Sequence, residues 1–203
     1  MRGRFITFEG IDGSGKSTLL EATASALREK GIAIVQTREP GGTQVGEALR
    51  ALLLNQPMSP LTETLLMFAS RIEHIDEVIV PALGTGHWVL CDRFTDATYA
   101  YQFAGRGISG EWIANLESWV HPTLQPDLTI VVDLEPRKAA ARRSRVRMAD
   151  RFESEDVAFF ERVRNLYLQR ASEQAHRFLV IDGELPAPDN LKQILDRLSS
   201  WHA

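Results

Sequence analysis

Near the start of the chain, glycines, a lysine and a hydroxyl are spaced for phosphate chemistry. In Gly10-Ile11-Asp12-Gly13-Ser14-Gly15-Lys16-Ser17, a glycine and four further residues precede a second glycine, a lysine and a serine. Glycines let the backbone bend sharply and turn several N–H groups towards one point. In such a loop the lysine reaches the β- and γ-phosphates of a nucleotide, and the hydroxyl ligates Mg²⁺. An ordinary glycine turn before a helix would require neither Lys16 nor Ser17. The chemistry indicated is binding of a nucleoside triphosphate together with Mg²⁺.

Three further stretches carry charge where chemistry could use it. Asp92 ends an apolar run, the position from which enzymes with such a loop present a carboxylate to the metal. Arg93 follows it, and then Phe94-Thr95-Asp96-Ala97-Thr98-Tyr99-Ala100-Tyr101-Gln102-Phe103-Ala104-Gly105-Arg106-Gly107. An Asp-Arg pair alone could be a structural salt bridge. The hydroxyl, amide and aromatic groups after it indicate a ligand wall. Arg38-Glu39-Pro40-Gly41-Gly42-Thr43 is either a ligand loop or a tight turn, and the residue types leave that open. The basic run at 142–151 holds Arg142, Arg143, Arg145, Arg147 and Arg151. Such runs are solvated faces or nucleic-acid patches. Beside a phosphate loop, a flap whose arginines fold over phosphates is the better reading.

The elements that position these groups follow from periodicity. Residues 4–9 alternate and read as a strand entering the loop; 17–30 repeat Leu20, Ala24 and Leu27 as a helix stopped by Gly31. A strand at 32–37 completes a βαβ unit, hence a parallel sheet. A helix is expected over 44–54, with Arg50 off its apolar stripe. Ser59 and Pro60 open a long helix, with Leu61, Leu65, Phe68, Ile72, Ile75 and Ile79 as its core stripe and Pro81 near its end. Met67 and Arg71 share an adjacent face. Glu73 and His74 are expected at the surface. Strands follow at 88–92, 128–134 and 178–182, with helices at 111–120, from Pro136, from a cap at Ser154 and over 189–201. The helix after Ser154 is expected to bury Val157, Phe160, Val163, Tyr167 and Ala171. Five strands alternating with helices predict a three-layer αβα fold with a five-stranded parallel sheet. One domain spanning 1–203 is expected, with a lid near 142–152.

Bulk composition excludes several classes. The chain has 203 residues, 44% hydrophobic and 25% charged, as in an ordinary globular protein. A net charge of −4 gives no sign of a nucleic-acid or anionic-membrane partner. One cysteine, Cys91, permits neither an intrachain disulfide nor a thiolate zinc cluster, and its apolar surroundings suit a buried, inert thiol. No apolar run approaches the roughly 20 residues of a membrane span. With no signal-peptide core ahead of the first strand, a cytoplasmic protein is expected.

The phosphate loop with Phe8-Glu9, the Arg38–Thr43 segment, Arg71, Asp92-Arg93, Ala100-Tyr101-Gln102 and Gly105-Arg106-Gly107 together resemble bacterial thymidylate kinase over nearly the whole chain. The resemblance implies transfer of the γ-phosphoryl group of ATP to dTMP, giving dTDP and ADP for dTTP synthesis, with Mg²⁺ and as a homodimer. It implies that residues 10–18, through Thr18, hold ATP, that Ser17 and Asp92 hold the metal, and that Asp12 lies near the acceptor's 3′-hydroxyl. Arg50 and Arg93 fall at the dTMP phosphate, Arg71 and Thr98 at the thymine, and Tyr101 under the deoxyribose. Glu39, Pro40 and Gln102 fall within the same acceptor site. Pro40 matches a proline often held in cis. Gly13 stands where some members carry a catalytic arginine, so the lid must supply that charge through Arg143, Arg147 or Arg151. Met67 stands where a phenylalanine commonly stacks on thymine; Met67 is expected to cover the base through its sulfur, with Phe68 as the alternative. Ala97 replaces a frequent serine.

Three rival readings remain, of which a structural or nucleic-acid-binding role has only the basic run at 142–151 behind it. A related kinase acting on another nucleotide or a nucleoside differs only in its acceptor. A nucleotide-dependent switch would hydrolyse slowly and need no second anion site, which the arginines around the presumed acceptor site argue against.

Overall fold

In a computed structural model that describes residues 2–143, 151–152 and 154–201, the five strands are β1 (Phe5–Glu9), β2 (Ile34–Arg38), β3 (Trp88–Asp92), β4 (Leu128–Asp133) and β5 (Phe178–Asp182). They form one parallel sheet in the order β2-β3-β1-β4-β5. Phe8 pairs with Asp92, and Asp92 with Arg38, so the first three strands end level with one another. The chain runs from β1 to β2 on one side and from β3 to β4 on the other. The switch point therefore falls between neighbours β1 and β3, where open α/β sheets bind ligands at the strands' carboxyl ends.

Strand alternation divides the core. Ile6, Phe8, Leu90, Ile130 and Val132 pack on α1 (Lys16–Glu29) together with Ile194 and Leu198 of the closing helix, Ala187–Ser199. On the opposite face Phe5, Val89 and Cys91 meet Ile75, Ile79 and Leu83, while Val131 meets Phe160, Val163 and Tyr167. Cys91 is buried, and burial pushes its thiol pKa up, as suits an inert thiol. This is the three-layer arrangement.

The second and third helices, α2 (Gln44–Asn55) and α3 (Pro60–His74), correct the expected stripe. Ser59 caps α3 by accepting from the Thr62 N–H, and Pro60 occupies the first turn. Yet Leu61, Leu65 and Ile72 are 42%, 48% and 43% exposed, while Glu63, Thr64, Phe68, Ser70, Arg71 and His74 are buried. Phe68, Ile75 and Ile79 of the expected stripe are buried, but its other half is turned out. Polar groups that find partners across the core, Glu63 with Gln102, Arg71 with Glu39 and His74 with Glu39 and Thr37, go inside in its place. His74 is thus not a surface residue. A wide π turn over Ile75–Ile79 carries the helix onward: Val80 N–H reaches Ile75 O, and Pro81 can donate nothing. A second π segment, Tyr99–Gly105, follows the short helix Thr95–Thr98.

Elsewhere the boundaries shift slightly. β2 begins at Ile34 rather than residue 32, since Ile32 N–H still bonds Leu27 O. The helix Val157–Glu173 is capped by Asp156, which accepts from Phe159 N–H at 2.7 Å, and not by Ser154, whose hydroxyl turns back to Arg151 O. Val157 is exposed on it, being the first residue beyond the cap.

Candidate functional site

The phosphate loop leaves β1 with Gly10, Gly13 and Gly15 all at positive φ, a region other residues enter only with strain. Gly15 caps α1 without any side-chain hydrogen bond, so the first N–H groups of the helix face the loop for an anion to accept. Lys16 is buried and its Nζ donates to Ile11 O at 3.1 Å, with Asp12 Oδ1 at 3.8 Å. Burial and the Arg93 guanidinium push its pKa down, against Asp12, Asp92 and Glu9. The Ser14 hydroxyl is buried with no hydrogen-bond partner, an unsatisfied group inside the cradle.

Ser17 Oγ donates to Asp92 Oδ2 at 3.1 Å, bringing a hydroxyl and a carboxylate together from α1 and the end of β3. Hard oxygens suit Mg²⁺, which dehydrates reluctantly and takes its remaining ligands from water and phosphate. Among the described residues no group of three or more His, Cys, Asp or Glu is placed to hold a metal ion by itself.

Arg93 joins the two halves of the site. Its backbone is left-handed, φ 73°, the single non-glycine residue so placed among those described. Two bonds hold that turn: Arg93 N–H to Phe8 O at 3.0 Å and Phe94 N–H to Glu9 Oε1 at 2.7 Å. The turn aims the guanidinium at the loop, where Nη2 donates to Asp12 Oδ1 at 2.8 Å and to Tyr101 OH at 3.0 Å, and Nη1 to Tyr167 OH at 3.2 Å. It lies 4.7 Å over the Tyr101 ring. Burial would raise the Asp12 pKa, but Arg93, Lys16 and hydrogen bonds from Arg93 and Tyr101 hold it below the usual carboxylate range. Glu9, fully buried behind them, is pushed up to about 7 by burial.

Beyond Arg93 opens a cleft of about 650 Å³, part of it solvent, between the strand ends and α3. Asp12, Glu39, Pro40, Arg50, Met67, Arg71, Arg93, Thr98, Tyr101 and Gln102 all line it. The Glu39–Pro40 peptide is cis, and Arg50 Nη1 donates to Pro40 O at 2.9 Å. Arg71 donates from Nε to Glu39 Oε2 at 2.8 Å and from Nη2 to Thr98 Oγ1 at 3.1 Å, while its Nη1 is buried without a hydrogen-bond partner.

These features agree with what comparison finds. A sequence model described as thymidylate kinase matches residues 8–194. The chain is 53% identical to the thymidylate kinase of Methylobacillus flagellatus over the full length of both. It is 55% identical to that of Burkholderia mallei, covering 95% of this chain and 96% of the relative. The chain belongs to the thymidylate kinase family. A crystal structure of thymidylate kinase from Ehrlichia chaffeensis superposes with a TM-score of 0.81 at 34% identity, over 98% of this chain and 100% of that one. The fold is accordingly that of the P-loop NTPases, and phosphorylation of dTMP is the function of the thymidylate kinase family.

Within that family frame, Met67 lines the cleft, whereas Phe68 lies beneath the Arg71 guanidinium, 4.8 Å from it, and is absent from the wall. Arg151 donates to Leu53 O at 3.0 Å, and its Nη2 forms an ion pair with buried Glu63 Oε2 at 2.7 Å. Its guanidinium thus meets α2 and α3 on the acceptor side. Arg147 and the Arg143 side chain lie outside the described residues. Phe94, at the head of the stretch expected as a ligand wall, lines the cleft, whereas the walls Leu54 and Phe152 were not singled out. Leu54 is an apolar residue whose sequence pattern signals only core, and Phe152 follows the basic run without any motif of its own.

Proposed function

We propose that the phosphate loop takes ATP with Mg²⁺, that the cleft takes dTMP, and that the chain moves the γ-phosphoryl group between them to give dTDP and ADP. One observation carries this reading: Arg93 touches the phosphate loop through Asp12 and also walls the cleft, so donor and acceptor sites share a side. A transferring phosphoryl group needs in-line placement and neutralised charge more than covalent help.

In this reading residues 10–18 hold the triphosphate, with the α1 amides and Lys16 supplying positive charge. Ser17 and Asp92 would hold Mg²⁺, which supplies charge neutralisation across the β- and γ-phosphates when bound. Arg50 and Arg93 face the acceptor phosphate, and Asp12, already held ionised, orients Arg93. Tyr101 packs against the sugar, Met67 covers the base, and Arg71 with Thr98 reads its edge. Gln102 closes that wall, its amide donating to Glu63 Oε1 at 2.8 Å. The arginines at 143, 147 and 151 supply the remaining neutralising charge. The acceptor is itself an anionic phosphate, so no strong base is required.

A homodimer is supported by an apolar surface on α2 and α3, where Val45, Leu52, Leu61, Leu65 and Ile72 are all exposed. Light scattering should return twice the chain mass. We place the enzyme in the cytoplasm, supported by one free, buried thiol. No helix among the described residues is long and apolar enough to cross a membrane.

The deciding experiment is ADP release with ATP and Mg²⁺ against dTMP, dUMP, dCMP, dGMP and thymidine. dTMP should give the highest kcat/KM. Hydrolysis without transfer to any monophosphate would reject the assignment.

A further inference from the structure

From Arg71 and Glu39 in the cleft wall a chain of hydrogen bonds runs back to His74 and Thr37, neither of which lines the cleft. Thr37 Oγ1 and His74 Nε2 are 2.6 Å apart, His74 Nδ1 and Glu39 Oε1 2.9 Å, and Glu39 Oε2 accepts from Arg71 Nε at 2.8 Å. Its members come from β2, from the loop after it and from the last turns of α3. All but Thr37 are buried, His74 completely. A carboxylate can only accept, so His74 must donate from Nδ1, which leaves Nε2 to face the threonine hydroxyl. Each Glu39 oxygen thereby accepts one hydrogen bond from within this chain. Burial would raise its pKa, and Arg71 with His74 brings it below the ordinary value.

The surrounding loop is shaped to this imidazole. Gly42 sits at φ +84°, and a Cβ there would come within 2.6 Å of His74 Cδ2 and 2.7 Å of Thr37 Oγ1. Gly41 N–H donates to Ser70 Oγ one turn before His74. Arg71 is clamped on its other sides by Thr98 and by the Phe68 and Phe94 rings at 4.8 and 5.1 Å. One buried, unpartnered nitrogen, Nη1, remains on a residue that lines the cleft.

We infer that His74 and Thr37 are positioning residues for base selectivity, acting through Glu39 to fix Arg71 so that Nη1 meets a base bearing a carbonyl oxygen. A base presenting an amino group at that edge leaves two donors facing each other. Buried polar groups left unpaired are the strongest basis for rejecting an analogue. The proposal rests on the cleft being the dTMP site.

The test reads the ratio of kcat/KM for dTMP to that for dCMP. His74→Asn keeps a donor where Nδ1 stood, and His74→Gln keeps only the group facing Thr37. The Gln variant should lower the ratio by about tenfold or more, as expected for one lost hydrogen bond to a charged group, with the Asn variant within about threefold of the parent. The change should appear in KM for dTMP and leave kcat at saturation nearly unaltered. Thr37→Val, which conserves volume, should lower the ratio about threefold, and no change there overturns the inference even if the His74 variants fail to fold. Equal loss in Asn and Gln, or loss in neither, also overturns it. Arg71→Met separates the two levels. If it abolishes selectivity while the His74 and Thr37 variants keep it, the relay alone is wrong. If it keeps selectivity, the dTMP reading of the cleft fails as well.

Discussion

Replacing Glu9 with glutamine removes one ionisable group and almost no shape. Glu9 ends β1 with no exposed surface, its Oε1 accepting from Phe94 N–H and its Oε2 from Tyr167 OH, both at 2.7 Å. Burial raises its pKa from 4.5 to about 7; Arg93 opposes that, Asp96 adds to it, and the two hydrogen bonds oppose it. In the unfolded chain the carboxyl ionises at its ordinary value, so between the two values the unfolded state releases a proton that the folded state keeps. Stability from this group is therefore intact below the unfolded pKa and is lost as pH rises through about 7. At 1.36 kcal/mol per unit, the difference approaches about 3 kcal/mol above neutrality. Glu9→Gln escapes that cost. Urea unfolding of both proteins should show the variant gaining about 2–3 kcal/mol on the parent between about pH 5 and about pH 8, because the other titrating groups are common to both. In thermal melts that is roughly 5–10 °C for a chain of this size. Parallel stability curves would refute the claim that burial holds Glu9 protonated near neutrality.

Lys16→Ala or Arg93→Ala should each lower kcat/KM by at least about 100-fold, or about 2.7 kcal/mol of transition-state stabilisation, in coupled ADP release; near-normal turnover by Arg93→Ala would remove it from the chemistry. Asp156→Ala should cost about 1 kcal/mol in urea unfolding through loss of the helix cap, whereas Ser154→Ala should stay within about 0.5 kcal/mol. The reverse order would return the cap to Ser154. Phe160→Ala opens a cavity against Val163 and the sheet and should cost about 3–5 kcal/mol, which a shift of the urea midpoint at constant slope would register.

The sequence by itself determined the architecture and a phosphate-binding loop, because both rest on local rules, while the acceptor was legible only through resemblance to a family. Gly10, Gly13 and Gly15 announce a backbone that only glycine enters easily, and strand and helix periods announce which elements alternate. The five strands, the capped start at Ser59-Pro60 and the phosphate loop were legible in this way, whereas the acceptor-site residues Arg50, Met67, Arg71, Thr98, Tyr101 and Gln102 came from the resemblance to a family, and they line one cleft. Tertiary structure alone decided which face of α3 goes inside. Hydrophobic periodicity reports that a helix has two faces, and Leu61, Leu65 and Ile72 were assigned to the core on that basis. Glu63, Arg71 and His74 are buried instead, since Gln102, Glu39 and Thr37, brought from distant parts of the chain, hydrogen-bond to them. A buried polar group is tolerated only where partners converge. That convergence depends on the strand order β2-β3-β1, which no local pattern encodes. The same order sets Arg93 beside Asp12, 81 residues away in sequence, and so makes one site of two motifs.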